Sequence, residues 1–365
     1  MFKIPDYIKD LKPYDPGKPI EELARELGLK KIIKLASNEN PLGPSPKAVK
    51  AILEDIYNIH RYPDGKCYYL RKKLSQIFKV SENEIIFGLG SNEILDLVAR
   101  AYLRPPYNAV FSELSFAIYP IVTKLAGAEA KIVPIKKDFS IDLEAHLKAI
   151  DENTKVVFIA NPNNPTGTAF SKSEFEDFLK EFPEDVLLVL DEAYYEYAKG
   201  ANFDIEDGVK YIHTKNILVT RTFSKIYGLA GLRIGYGFAK EEIIKDLDRI
   251  RQPFNVPRTA QAAALAAIED IEHLNLSIAV NEMGKKYLYK EFDKLNLEYV
   301  PTYTNFILFK VPMKAKVAFQ KLLKKGVIVR DMTGYGLENY LRVTIGTQEE
   351  NEIFIKALKE VLNEV

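Results

Sequence analysis

Short apolar runs alternate with longer amphipathic stretches between about residue 84 and residue 240. The runs, bounded by Gly, Pro, Asn or Asp, read EIIFGLG, YNAVFSE, AKIVPI, KVVFIANP, DVLLVLDEAYY, NILVTRTFS and RIGYGFA. Runs of this length between turn residues indicate buried strands, and the stretches between them indicate helices. The alternation predicts an α/β fold with a mostly parallel seven-stranded sheet flanked by helices. Ligands of such sheets bind beyond the carboxyl ends of the strands.

The pattern changes toward the C-terminus. Helix-like stretches, including TAQAAALAAIED and LNLSIAVNEMGKKYLYKEFDKL, are followed by the strand-like TNFILFKV, VIVRDM and YLRVTIGT. At 365 residues the chain is long enough for two domains. We predict an N-terminal segment (1–44) that packs with the small domain and the ligand site, a large ligand-binding domain (45–258) and a small α+β domain (259–365).

Charge and composition exclude some classes of partner. Lys plus Arg and Asp plus Glu both total 51, so the formal net charge is zero and no global field attracts nucleic acid or an anionic membrane. No apolar run approaches the roughly 20 residues of a membrane span. Cys67 is the one cysteine, which excludes an intrachain disulfide, and the four histidines lack metal-like spacing. We expect a cytoplasmic protein with no metal, nucleic acid or membrane partner.

Polar side chains follow two of the predicted strands. KVVFIA is followed by NPNNPTG, which contains Asn164, and VLLVL is followed by Asp191, with Tyr194 three residues later. Taken alone, the first is a turn and Asp191 is a helix N-cap with aromatic packing behind it. A carboxylate at the end of a buried strand nevertheless needs a cation or strong donors to stay ionised.

A third strand leads into TRTFSKIYGLAGLRIGYG, which contains Thr222, Ser224, Lys225 and Arg233. Hydroxyls, a guanidinium and amides freed by glycine are the groups that bind a phosphate dianion. A lysine beside that phosphate in apolar surroundings loses part of its preference for the charged form, so its amine becomes a nucleophile. The alternative is an exposed lysine on a loop.

A glycine turn precedes a predicted helix at FGLGSNEIL. The amides of Gly90, Ser91 and Asn92 at that helix N-terminus could bind an anion. The spacing is a weak signal by itself, because the third glycine of a dinucleotide fingerprint is missing.

The order of these motifs along the chain favours a ligand-binding site over the purely structural interpretations. Asn164 in NPNNPTG, Asp191 and Tyr194 in DEAYYEY, Lys225 in SK and Arg233 in GLR resemble the fold-type I pyridoxal-phosphate aminotransferases. Further segments narrow the resemblance to the histidinol-phosphate aminotransferase family over essentially the whole chain: LKPYDPGKPIEELARELGL, IIKLASNENPLGPSP, RYPDG, GVIVRDM and LRVTIGTQEEN.

The resemblance implies pyridoxal 5'-phosphate as cofactor and a role for each motif. Lys225 would bind the cofactor covalently and then act as general base, and Asp191 would pair with the ring nitrogen. Asn164 and Tyr194 would bond the ring oxygen. The phosphate would be held by Thr222, Ser224, Arg233, Gly90, Ser91 and Asn92. Phe116 stands where many relatives carry a tyrosine stacked on the ring, so stacking is kept but a hydroxyl is lost.

The implied reaction interconverts histidinol phosphate and 2-oxoglutarate with imidazole acetol phosphate and glutamate, in histidine biosynthesis. Arg330 and Arg342 would form one anion site that binds the carboxylate of one substrate or the phosphate ester of the other, and Tyr14 would close over this site. Asn40, with its neighbours Asn38 and Glu39, is a further candidate for the pocket wall. Tyr62 in RYPDG would reach the cofactor phosphate of a neighbouring subunit, which implies a homodimer with shared active sites.

Three alternatives remain open at this point. An aromatic amino acid aminotransferase of the same fold would use the same arginine pair, and a threonine-phosphate decarboxylase would use the same cofactor to break a carboxylate bond. A non-enzymatic pyridoxal-phosphate sensor would need an added DNA-binding module, for which we expect no residues to be left over.

Overall fold

A computed structural model describes residues 4–9, 11, 22, 25, 28 and 31–364. Its main feature is a seven-stranded sheet with the strand order β2-β8-β7-β6-β5-β3-β4. Strands β3, β4, β5, β6 and β7 pair in parallel, whereas β8 runs antiparallel to both of its neighbours. The predicted mostly parallel sheet is therefore confirmed, with β8 as its reversed strand.

All seven predicted strands are present. They are β2 (Ile85–Gly88), β3 (Asn108–Ser112), β4 (Glu129–Val133), β5 (Thr154–Ala160), β6 (Leu187–Asp191), β7 (Ile217–Thr222) and β8 (Gly235–Phe238). The helices that accompany them are α2 (Pro46–Asp55), α3 (Tyr68–Phe78), α4 (Ser91–Tyr102), α5 (Ile118–Leu125), α6 (Leu143–Ala149), α7 (Lys172–Glu181), α8 (Tyr195–Gly200), α9 (Glu241–Ile250) and α10 (Arg258–Ile268). A short helix α1 (Asp6–Lys9) and a short strand β1 (Ile33–Lys34) precede them.

Helices cover both faces of this sheet. Every residue of β6 and β7 is buried, as expected for strands packed on both sides. Helix α7 shows how the covering layer forms: Ser171 and Glu174 make a capping box at its start, and Phe175 and Phe178 are buried on one side.

The C-terminal elements build a second core around a three-stranded antiparallel sheet of order β11-β12-β9. These elements are α11 (Ile271–Lys294), β9 (Phe306–Lys310), α12 (Ala315–Lys324), β10 (Val327–Ile328), β11 (Arg330–Asp331), β12 (Tyr340–Thr344) and α13 (Gln348–Asn363). Strand β1 pairs in parallel with β10, and Ile33 and Leu35 are buried in this second core. Helix α10 packs on α2 against the large sheet. The domain boundaries at 44 and 258 stay a prediction.

Two further features concern single residues and helix length. Cys67 is buried, takes a left-handed φ of 52° just before α3, and has a thiol pKa raised to about 12 chiefly by burial. Among the described residues no helix is long and apolar enough to cross a membrane, and none of the described His, Cys, Asp and Glu side chains gather into a metal-binding group.

Candidate active site

A cavity of about 230 Å³ lies at the carboxyl ends of β5, β6 and β7. It is closed on one side by residues 36–39 and by the second sheet. Most of the predicted site residues line it: Gly90, Ser91, Asn92, Phe116, Asn164, Asp191, Tyr194, Thr222, Ser224, Lys225, Arg233, Arg330 and Arg342.

Asp191 ends β6 and is 4% exposed. Its Oδ2 accepts a hydrogen bond from the Tyr119 hydroxyl at 2.9 Å, and its Oδ1 accepts from Thr220 Oγ1 at 3.2 Å and from the Ala193 amide at 3.3 Å. Burial raises the pKa of the Asp191 carboxyl, and these hydrogen bonds act in the opposite direction. The carboxylate would be favoured by a cation placed before it in the cavity.

Lys225 projects into the cavity from the loop after β7, and its Nζ donates to the Ser37 carbonyl at 3.1 Å. Burial, followed by the charges of Arg342 and Arg233, lowers the pKa of this amine to about 8, although Glu39 acts in the opposite direction. The neutral, nucleophilic form is therefore accessible near physiological pH.

One end of the cavity is built to receive an anion. Gly90 precedes α4 with a φ of 73°, and Arg233 Nη2 lies 2.7 Å from the position that a Cβ on Gly90 would take. Only glycine suits both the left-handed backbone and this close approach. The amide groups at the start of α4, the Ser224 hydroxyl and the Arg233 guanidinium thus face the same space.

Tyr194, Asn164 and Arg342 form another part of the cavity wall. Tyr194 Oη accepts a hydrogen bond from Asn38 Nδ2 at 2.8 Å. The buried Arg342 donates from Nη1 to Asn164 Oδ1 and from Nη2 to the Ala36 carbonyl at 3.0 Å. Arg342 therefore orients the Asn164 side chain, a contact that the sequence did not indicate.

Arg330 and Arg342 are register partners on β11 and β12, so the second sheet brings both arginines to the cavity. Tyr335, in a short 3₁₀ turn (Thr333–Tyr335), lines the cavity beside them.

Among the described residues, Asn40 and Tyr62 were predicted to belong to the site but do not line the cavity. Asn40 is buried, and its Nδ2 donates to the Ile226 carbonyl at 2.7 Å and to Ser277 Oγ at 2.9 Å, so its role in substrate binding stays a prediction. Tyr62 is 81% exposed and stacks on Phe254, away from the cavity of its own chain. Tyr14 lies outside the described residues.

Residues of the wall or its support that the sequence did not indicate include Ser37, Ala36, Tyr335 and Tyr119. Tyr119 lies near the start of α5, and the sequence does not reveal its role because its hydroxyl bonds to Asp191, 72 residues further along the chain. Ser37 contributes its carbonyl, which no side-chain pattern reveals.

Comparison with known proteins gives the family. The sequence profile of aminotransferase class I and II matches residues 30–358. Histidinol-phosphate aminotransferase 2 of Pseudomonas fluorescens (strain Pf0-1) is 53% identical over 358 residues, covering 97% of this chain and 96% of the relative. The chain belongs to the histidinol-phosphate aminotransferase family.

Two further comparisons agree with this membership of the aminotransferases. Histidinol-phosphate aminotransferase of Moorella thermoacetica is 48% identical over 99% of this chain and 93% of its own length. The crystal structure of histidinol-phosphate aminotransferase from Sinorhizobium meliloti, in complex with pyridoxal 5'-phosphate, matches with a TM-score of 0.90 and 28% identity, over 100% of this chain and 98% of that one. This chain and the Sinorhizobium meliloti enzyme thus share the same fold in both the large and the second core.

Proposed function

We propose that the chain catalyses the pyridoxal-phosphate-dependent interconversion of histidinol phosphate and 2-oxoglutarate with imidazole acetol phosphate and glutamate, a step of histidine biosynthesis. The observation that carries this proposal is the meeting, in one cavity, of the Lys225 amine, the Asp191 carboxyl and an anion site at the start of α4. The identity to the curated relatives over nearly the whole chain supports the substrate.

The residues of the cavity fit pyridoxal 5'-phosphate. A buried carboxyl with a raised pKa suits a protonated ring nitrogen, and an amine with a pKa of about 8 suits covalent attachment. Helix amides with a hydroxyl and a guanidinium suit the phosphate. Asp191, Lys225, Ser224 and Arg233 would therefore hold the cofactor, with Phe116 against its ring.

When bound, the cofactor supplies an electron sink that allows the Cα–H bond of the amino substrate to ionise. Asp191 keeps the ring nitrogen protonated, because a buried carboxylate strongly favours a neighbouring cation. Lys225 Nζ takes the Cα proton and later returns it. Tyr194 and Asn164 offer hydrogen bonds to the ring oxygen, and the second sheet with residues 36–39 limits the access of water.

Arg330 and Arg342 would bind the anion of each substrate. A guanidinium forms paired hydrogen bonds with a carboxylate and with a phosphate alike, so one pair can serve both half-reactions. Tyr14 would close over this anion.

A homodimer with shared sites would complete the cavity. The segment 49–69, which contains Tyr62, exposes the large apolar side chains of Leu53, Tyr57, Ile59 and Tyr69. Phe254, which stacks on Tyr62, is exposed as well. An exposed apolar surface of this kind is typical of a protein interface. We propose that a second copy covers it and that Tyr62 of each copy reaches the other's cofactor phosphate. The expected compartment is the cytoplasm.

The function is tested with the purified protein, pyridoxal phosphate and 2-oxoglutarate as amino acceptor. We expect glutamate formation with histidinol phosphate at a kcat/KM at least ten-fold above that with phenylalanine or tyrosine, and no activity for Lys225→Ala. Equal or higher kcat/KM with the aromatic amino acids would assign the aromatic aminotransferase instead. Release of carbon dioxide from threonine phosphate would assign the decarboxylase.

A further inference from the structure

Asn38 is held in an uncommon backbone conformation inside the cavity wall. It is 2% exposed and has a φ of 57°. Its backbone N–H donates to Thr344 Oγ1 at 2.9 Å, and its backbone carbonyl accepts a hydrogen bond from Asn305 Nδ2 at 3.0 Å. Asparagine is among the few non-glycine residues that adopt this left-handed region readily. The second core thus fixes the position from which the Asn38 side chain projects.

The hydrogen bonds around Asn38 also fix which end of its side-chain amide faces Tyr194. Thr344 Oγ1 accepts from the Asn38 backbone, so its own proton is left to point toward Asn38 Oδ1, 3.4 Å away. The Nδ2 group then faces Tyr194 Oη and donates to it at 2.8 Å. An amide nitrogen has no lone pair to accept with, so the Tyr194 proton cannot be directed at Asn38.

The Tyr194 proton is therefore available to the cavity. Within the described part of the chain Tyr194 Oη makes no other hydrogen bond, and the hydroxyl lies on the cavity wall. Burial raises the pKa of Tyr194 to about 12, against the opposing effects of Arg342 and Asn38, so the hydroxyl keeps its proton at neutral pH. The other titratable groups around it include Asp191, Tyr335, Tyr119, Tyr197 and Lys225, whose Nζ lies 5.9 Å from the centre of the Tyr194 ring.

We propose that Asn38 is a positioning residue that directs the Tyr194 O–H into the cavity, as a hydrogen-bond donor to the ring oxygen of the cofactor. This inference rests on the proposed function, since it needs bound pyridoxal phosphate. It assigns to the segment 36–39 a part in setting the cofactor's protonation, beyond closing the cavity. Asn38 itself need not touch the cofactor.

The test is a pH titration of the visible absorbance of the lysine-bound cofactor. A hydrogen bond donated to the ring oxygen favours the deprotonated form and lowers the titration midpoint. Asn38→Gly keeps the left-handed backbone but removes the donor to Tyr194, so we expect the midpoint to rise by about 0.5 to 1 pH unit. Tyr194→Phe should raise it at least as much.

The control is Asn296→Gly, the same replacement at an exposed residue with a φ of 52° outside the cavity. We expect it to leave the midpoint unchanged. The deciding variant combines Asn38→Gly with Tyr194→Phe. If Asn38 acts through Tyr194, adding Asn38→Gly to Tyr194→Phe should move the midpoint by less than about 0.2 pH unit, because the effects of two contacting residues that act through the same hydrogen bond are not additive.

Three outcomes would overturn the inference. Asn38→Gly could leave the midpoint unchanged, or it could shift the midpoint equally with and without the Tyr194 hydroxyl; either result leaves the proposed function standing. Absence of any cofactor band in the unaltered protein would remove the proposed function and this inference together. If Asn38→Gly does not fold, Asn38→Asp replaces the donor by an acceptor at the same size, and its upward shift must likewise shrink in the Tyr194→Phe background.

Discussion

The Lys225 amine loses much of its affinity for protons because burial and two guanidinium groups act on it together. Its Nζ is held by one hydrogen bond to the Ser37 carbonyl, which is an acceptor for either protonation state. A change of protonation therefore needs no rearrangement of the hydrogen-bond network around the amine.

The first prediction concerns the uptake of pyridoxal phosphate by the cofactor-free protein. Because only the neutral amine attacks the aldehyde, the rate of covalent attachment should rise with pH, with a midpoint near pH 8, and level off at higher pH. Stopped-flow absorbance followed by borohydride reduction measures it. Lys225→Ala should show no borohydride-stable label. A midpoint near 10.5, the ordinary value for lysine, would contradict the lowered pKa.

At the residue scale, the sequence predicted the cavity residues that lie at or just after the ends of strands, because polar side chains after buried strands gather at the carboxyl edge of the sheet. Asp191, Ser224 and Lys225 are of this kind. The sequence pattern did not show that Asn40 bonds to Ile226 and Ser277, because these residues come from distant parts of the chain.

At the scale of elements, the loop after β7 packs directly on the N-terminal segment. Gly228, with a φ of 68°, lies so close to Gly43 that a Cβ would stand 2.1 Å from the Gly43 carbonyl oxygen. Backbone packed against backbone cannot yield as a flexible side chain can. The loop that carries Lys225 is thereby fixed to the segment that carries Ser37.

The second prediction is that Gly228→Ala destabilises the protein by at least about 2 kcal/mol, through backbone strain together with the clash. Gly231 in the same loop is the matched control: a Cβ there meets nothing within 4 Å, so Gly231→Ala should change stability by less than about 0.5 kcal/mol. Urea unfolding of the cofactor-free proteins measures both. Equal unfolding midpoints for the two variants would refute the close approach.

The strands themselves were predictable because each apolar run is bounded by turn residues. Their order was not, because it depends on pairing between distant segments: β2 reaches β8 only after the chain has built β3 to β7. The segment VIVRDM looked like one strand, yet β10 and β11 pair in different sheets, with β1 and β12. A sequence pattern does not record such a division.

At the scale of the whole molecule, the cavity and Tyr62 belong to different surfaces of one chain. Tyr62 stacks on Phe254 with ring centroids 5.0 Å apart, and both side chains are exposed. Two copies related by a two-fold axis would each present this pair to the other.

The third prediction uses hybrids of two inactive variants, Lys225→Ala and Tyr62→Ala. If each site takes Lys225 from one subunit and Tyr62 from its partner, the mixed dimer contains one intact site and one doubly altered site. We expect refolded equimolar mixtures, in which half of the dimers are mixed, to recover about a quarter of the unaltered activity. Activity no higher than the average of the two parent variants would show that Tyr62 acts within its own subunit.

Cys67 gives the molecule a built-in reporter of local opening. Its sulfur is buried at the start of α3, and its thiolate is disfavoured by burial, so a thiol reagent can react only after that region detaches from the large core. Since the chain has one cysteine, every labelling event comes from this place. Helix α3 follows the exposed segment around Tyr62, so the labelling rate would also register how firmly a second subunit holds that segment closed.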